Sequence, residues 1–414
     1  MSENTYLSKK IAVIGGGPAG MMAAGTASES GASVTIFEQT DRLGKKLAIT
    51  GKGRCNVTNN CSINDFLENV TKNPRFLYTA LYSFPPERTI EFFEELGVKL
   101  KTERGNRVFP MDDKAKTIVD AMKRYACSAE IIHEKVTSVT VDENNKFIIK
   151  TDKIYNFDAV ILATGGKSYP KTGSDGSGYR LAMKLGHSVT ELKPSLIPIE
   201  SKDKVCSRMM GLSLKNVAIK VLDSSGKVLY TDFGEMMFTH FGVTGPIILS
   251  ASARIKDYDI SDLVLSIDLK PALDEKTLDA RLLSDFRDNA NKDFANSLSA
   301  LLPSKMIAPF IEKSGIEPHK KVNSITKDER SRILSELKNF KIKLHSLRPI
   351  NEAIITSGGI EVKEINPKTM ESKIIPGLYF AGEIIDVDAY TGGFNLQIAY
   401  STGFIAGKSA AENW

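Results

Sequence analysis

A glycine cluster set between two kinds of periodicity limits what this chain can become. Residues 10–14 are a short β-branched apolar run that ends in Gly15-Gly16-Gly17. Residues 20–30 carry the small and apolar spacing of a helix, Gly31 closes it, and residues 32–38 form a second apolar run. Strand, helix and strand within about 30 residues make a βαβ unit, whose sheet is expected to be parallel and covered on both faces. Gly15-Gly16-Gly17-Pro18-Ala19-Gly20 satisfies G-x-G-x-x-G in the context that gives this pattern its meaning. Gly15 allows the tight turn, Gly17 lets backbone approach a pyrophosphate, and Gly20 with Ala24 lets helix and strand pack closely. Pro18 and Ala19 open a helix whose N-terminus faces the phosphates. Glu38 lies 18 positions after Gly20. A carboxylate there accepts from both hydroxyls of an adenosine ribose and disfavours a 2′-phosphate. Gln39 is placed in the same dinucleotide site.

The far end of the chain decides between FAD and NAD. Residues 158–164 and 377–381 read as further buried parallel strands, which puts Thr164-Gly165 and Gly382-Glu383 at strand ends. Asp386 and Tyr390 follow, and Gly392-Gly393-Phe394-Asn395 opens a helix lined by Ala399, Ser401, Gly403, Ala406 and Gly407. Such a helix can approach a flat ring end-on, and its N-terminal N–H groups suit the anionic N1/C2 region of a reduced flavin. A second G-x-G-x-x-G for nicotinamide is absent, because Gly173, Gly176 and Gly178 have the wrong spacing. FAD is therefore expected, with Val136 also against it and NADH or NADPH as a transient reductant.

The middle of the chain changes character. From residue 194 to 268 short alternating segments are separated by turn signals such as Ser224-Ser225-Gly226, which predicts an antiparallel sheet or barrel. Residues 274–337 are helical in pattern and highly charged, broken at Pro303 and Gly315. The expected fold class is α/β: a Rossmann-like FAD-binding domain interrupted by an inserted β-barrel plus helical module. The expected boundaries are 1–193 and 345–414 for the FAD domain, 194–272 for the β insert and 273–344 for the helical insert. The 414 residues are 42% hydrophobic and 25% charged, which excludes a disordered or collagen-like chain. Four cysteines are too few for a disulfide scaffold. No apolar run reaches the ~18 residues of a membrane span, and the polar opening lacks the order of a signal peptide. A cytoplasmic protein without a membrane partner is expected.

The loop 43–59 directly follows the adenosine-binding unit and should run along the cofactor. Lys45, Lys46, Lys52 and Arg54 bring positive charge to it, and Gly53, Arg54, Cys55 and Asn56 stand where glycine lets backbone meet a ligand. Cys55 is the catalytic thiol candidate. With Cys61 it invites comparison with flavin disulfide reductases, but five residues separate the two here against four in those enzymes. His240, before a Gly-x-x-Gly-Pro turn, and Tyr390, beside the flavin helix, are the candidate proton donors.

These motifs together resemble a bacterial family of NAD(P)/FAD-dependent oxidoreductases. It includes aminoacetone oxidase-like proteins, bile-acid 4,6-reductase-like proteins and 23S ribosomal RNA dihydrouridine synthases. The resemblance rests on residues 15–20, Lys45-Lys46 with 51–59, 163–168, 239–246 and 390–395, so it spans nearly the whole chain. It implies an FAD domain split by an insert, and it includes Cys55 but not Cys61 in a shared motif. Two of the family's reactions reduce a conjugated C=C bond and the third oxidises a small amine with oxygen. A reductase fed by NAD(P)H is the leading expectation, with uridine in 23S rRNA favoured over an unsaturated oxo-bile acid. A non-enzymatic FAD protein that binds RNA is a further alternative. Candidate RNA contacts are His319-Lys320-Lys321, Arg330, Arg332, Lys338, Lys341 and Lys343, although a solvated helical face explains them equally well. No aromatic platform for single strands is visible in the sequence.

Overall fold

The computed structural model describes residues 8–412. The chain divides into two compact units, one of residues 1–194 with 350–414 and the other of residues 195–349. The first unit is built on the expected βαβ start: β1 (Lys10–Ile14), α1 (Pro18–Glu29) and β2 (Ser33–Phe37). Gly17 is the extended N-cap of α1 and Pro18 its first residue, where a missing N–H costs nothing. Gly31, at φ +88°, reverses the chain after α1. Then come β3 (Val70–Lys72), α2 (Tyr78–Ser83), β4 (Glu130–Ile132), β5 (Ala159–Leu162) and α3 (Ser177–Lys184). The unit resumes after residue 349 with β6 (Leu378–Phe380), β7 (Asp388–Ala389) and α4 (Phe394–Glu412).

Five of these strands form one parallel sheet in the order β6-β5-β1-β2-β4. β1 sits in the middle, with Ile11 opposite Ala159 on one side and Val34 on the other. Ile11, Val13, Ile36, Val160 and Leu162 are all buried, as a sheet covered on both faces requires. β1 runs on through α1 to β2 on one side, and β5, much later in the chain, lies on its other side. The carboxyl ends of β1 and its neighbours therefore border the crevice in which open α/β sheets bind ligands.

The second unit has its own core. Its seven-stranded sheet is antiparallel throughout, in the order Phe340–Lys343, Val264–Asp268, Ser213–Leu222, Val228–Phe238, Gly242–Thr244, Ile199–Glu200, Ser346–Leu347. The order has two ends, so among the described residues the strand pairing does not close the expected barrel. Alternation in the sequence predicts strands and says nothing of closure, which depends on which edges meet. The helices Glu275–Asp288, Ser304–Ser314 and Lys327–Lys338 do not form a separate body. Leu278, Leu282, Phe310, Ile333 and Leu337 share one apolar core with Ile219, Leu265 and Ile267. No helix among the described residues is long and apolar enough to cross a membrane.

Candidate functional site

The loops after β1, β2, β5 and β6 meet at one edge of the parallel sheet. Gly15 has φ +110°, and a Cβ there would lie 2.5 Å from the carbonyl oxygen of Ala163 after β5. A Cβ on Gly20 would lie 1.9 Å from the Gly15 oxygen, so helix and turn touch directly. At Gly17 an added Cβ meets nothing within 4 Å. The N-terminus of α1 thus offers free N–H groups to an open approach, which is what a pyrophosphate needs. Glu38 is buried, and its two carboxylate oxygens accept from the backbone N–H groups of Gly16 and Thr40, each at 2.8 Å. These bonds fix its orientation and leave further lone pairs for ribose hydroxyls. Gln39 donates to the Gly173 carbonyl at 2.6 Å, tying the end of β2 to the segment before α3.

Three buried polar atoms facing this region lack a partner among the described residues: Asn56 Oδ1, Thr164 Oγ1 and Ser174 Oγ. A Cβ on Gly178 would sit 1.9 Å from Thr164 Oγ1, and one on Gly165 would sit 2.9 Å from Ser174 Oγ. Glycine leaves both hydroxyls room that a side chain would fill. Buried polar atoms without partners are rare in native proteins, and a bound ligand's hydroxyls and phosphates are the partners that fit here. With the open N-terminus of α1 and the prepared Glu38 carboxylate, the residues present suit a dinucleotide. Sequence reasoning missed Ser174. Its signal is the glycine-punctuated run 173–178, whose spacing does not fit a second nucleotide fingerprint.

The other side of the cradle is closed by residues far apart in sequence. Lys46 Nζ lies 2.7 Å from both Glu383 Oε2 and Ser168 Oγ, and Glu383 Oε1 accepts from the Thr356 N–H at 2.8 Å. Gly382, at φ +76°, packs so that a Cβ would meet Ala19 Cβ at 2.7 Å. Gly393, at φ +98°, lies against the backbone of Thr58, where a Cβ would come within 2.4 Å. Gly392 is likewise left-handed at φ +128°. Phe394 packs edge-on against Phe66. Asn395 uses its amide on the backbone of Ala389 and Tyr390, so it shapes the loop before α4. Asp386 is buried with Lys72 at 2.8 Å, and burial pushes its carboxyl above the ordinary value against the pull of that lysine. Tyr390 is half-buried, its backbone N–H bonded to the Asn69 carbonyl. Val136 is buried in the core.

Other candidates are placed differently from what their spacing suggests. Lys45 pairs with Asp41 at 2.7 Å. Arg54 stacks over Phe109 at 4.2 Å and binds Glu103 and Asp113 at 2.5 and 2.6 Å, so its guanidinium is engaged by carboxylates. Gly53 is exposed and left-handed at φ +87°. Cys55 adopts φ +60° and is wholly buried, and burial pushes its thiol up to about 12. A thiol held neutral and out of solvent is not an activated nucleophile. All four cysteines are free. His240 lies in the second unit, exposed at a strand end with its ring against Phe241. The basic residues of the helical insert are largely matched within their own unit. Lys320 pairs with Glu329, Lys321 with Asp293, Arg330 with Asp279 and Lys338 with Asp268.

The family model described as "HI0933-like protein Rossmann domain" matches residues 9–409. The chain belongs to this family. A 3-dehydro-bile acid delta(4,6)-reductase of Clostridium scindens is 30% identical, over 97% of this chain and 99% of that protein. A ribosomal RNA dihydrouridine synthase of Haemophilus influenzae is 29% identical over 97% and 98% of the two chains. That of Escherichia coli is 27% identical over 96% and 98%. Among solved structures, the 3-ketosteroid-delta4-(5alpha)-dehydrogenase of Rhodococcus jostii RHA1 superposes with a TM-score of 0.53 at 16% identity, covering 100% of this chain and 99% of that one. That likeness shows a shared fold. This member of the HI0933-like family is an FAD-dependent oxidoreductase.

Proposed function

We propose that this HI0933-like protein reduces a C=C bond conjugated to a carbonyl, and that its substrate is uridine in 23S ribosomal RNA. When bound, FAD supplies the hydride for this reaction, drawn from NADH or NADPH. The observation that carries the reaction class is that three relatives aligned nearly end to end are named as a bile-acid delta(4,6)-reductase and two ribosomal RNA dihydrouridine synthases. Two of the three are named for ribosomal RNA.

The chain's own residues have definable tasks. Gly17 and the start of α1 bind the pyrophosphate, Glu38 orients the ribose, and Thr164, Ser174 and Asn56 supply polar partners along the cofactor. Lys46, held by Glu383 and Ser168, places a cation at the flavin side. Tyr390 is the proposed proton donor, because it stands in the loop that leads into α4.

One observation favours a second reading. Four of the basic residues expected to meet RNA, Lys320, Lys321, Arg330 and Lys338, are paired with acids of the same unit, which suits a small unsaturated ketone equally well. Deletion of the gene followed by nucleoside mass spectrometry of 23S RNA separates the two. Loss of dihydrouridine, restored by the wild-type protein, is expected. Unchanged RNA overturns the uridine assignment and directs the search to unsaturated ketones. Anaerobic mixing with NADH or NADPH should bleach the flavin, and peroxide formation with a simple amine and no nicotinamide effect would instead indicate an oxidase. Y390F should lower turnover and leave flavin bleaching intact.

A further inference from the structure

Outside the cofactor cradle, the first unit carries an exposed aromatic pair. Helix α2 turns Leu81 and Ala80 inward, with Leu77 before it also buried, and packs against α4. Tyr78 and Tyr82, one turn apart on α2, are 46% and 63% exposed. Their rings are nearly parallel, with an interplanar angle of 15° and centroids 6.4 Å apart. Arg75, three residues before Tyr78, is exposed, and its guanidinium has no ion pair among the described residues. Arg54, Arg88, Arg208 and Arg330, by contrast, are each held by carboxylates.

We propose that Arg75, Tyr78 and Tyr82 form a stacking platform for an unpaired base of single-stranded RNA, with Arg75 meeting the adjoining phosphate. The proposal rests on the rRNA reading above and deepens it. Two nearly parallel exposed rings with centroids 6.4 Å apart present flat faces that a third planar ring can join. Stacking of this kind accepts any base, and an uncompensated guanidinium beside it complements the backbone charge. An aliphatic protein partner would use neither feature. The platform also shares a short run of chain with the proposed site. β3, just before Arg75, pairs with β7, and Asn69 holds the backbone of Tyr390 at 3.0 Å. The spacing Arg75-x-x-Tyr78-x-x-x-Tyr82 is too sparse to stand out as an aromatic cluster in the sequence, and folding onto one face is what assembles it.

The test uses the FAD-loaded protein and a short fluorescent oligouridine, read by anisotropy. The Y78A/Y82A double variant should bind roughly ten- to a hundredfold more weakly. Y78F/Y82F, which keeps the rings, should bind near the wild-type level. Arg75→Ala should weaken binding and reduce the salt slope by about one. Melting temperature and flavin bleaching by NAD(P)H should be unchanged in all three. Wild-type protein that ignores oligouridine, or an alanine double variant that binds it normally, overturns the platform. So does a double variant whose sole defect is lost self-association or lost protein binding. If a deletion strain lacks dihydrouridine and Y78A/Y82A restores it at the wild-type rate, the platform fails and the substrate reading stands. If deletion leaves dihydrouridine intact while the tyrosines still bind oligouridine, the substrate reading fails and the platform stands.

Discussion

Glu38 shows how little freedom the cofactor site leaves to one side chain. Both of its oxygens are already oriented by backbone N–H groups, at Gly16 and Thr40. Glu38→Gln keeps the size but turns an NH₂ donor toward one of those donors and removes the charge. A charge-assisted hydrogen bond contributes about 1.5–3 kcal/mol. FAD affinity should therefore fall by at least about tenfold, measured by quenching of flavin fluorescence on titration of the apoprotein. The position of this carboxylate is legible in sequence because it depends only on strand length and a local spacing. Cys55 was legible as a position of interest but not as a buried one. Its thiol is raised from an ordinary value of 9.0 to about 12 because the charged form would be desolvated. The folded protein therefore holds this proton more tightly than the unfolded chain. The associated stability is complete below about pH 9 and is lost as pH rises toward about 12. Alkylation at pH 8 should label the exposed Cys127 first and reach Cys55 only after denaturation, with peptide mass spectrometry as the readout.

Helices α1 and α4 lie so close that the absence of side chains defines their contact. A Cβ on Gly403 would come 2.5 Å from the Ala19 oxygen, and one on Gly407 would come 2.3 Å from the Ala23 oxygen. The small residues of the last helix were evident in the sequence, but their partner was not, because it lies almost four hundred residues earlier. Gly407→Val forces the two backbones apart, and overpacking of this kind costs about 1–3 kcal/mol. The variant should melt several degrees lower and retain less FAD after gel filtration. The insert teaches the converse lesson. Its strands and helices could be placed from alternation, from Pro303 and from Gly315, which stands at φ +64° after its helix. Their merger into one core could not, since it rests on contacts such as the Leu269 N–H to the Leu337 carbonyl. Nor could the pairing of its basic residues with distant acids, such as Lys338 with Asp268, which lies in the strand Val264–Asp268.

Over the molecule as a whole, the cradle gathers peptides scattered along the chain: 15–20, 38–40, 164–178 and 382–397. Hydrogen exchange with and without FAD should show protection in all four together, and protection limited to the first two would contradict the assignment of Thr164, Ser174 and Glu383. Local patterns in the sequence mark 15–20, 38–40, the start of 164–178 and 382–397 one at a time, but not Ser174. They cannot mark the Lys46–Glu383 contact, 337 positions apart, because no local pattern encodes it. The parallel sheet has the same long reach, and this bears on how the protein is made. β1, β2 and β5 leave the ribosome early, whereas β6, which covers β5, follows roughly two hundred residues later, on the order of ten seconds or more at ordinary rates of synthesis. Throughout that interval the outer edge of β5 is a nascent surface with no neighbour. The contiguous span 195–349 emerges complete in the meantime. Cofactor loading thus belongs to the last moments of biogenesis, and chaperone demand should peak while β5 waits.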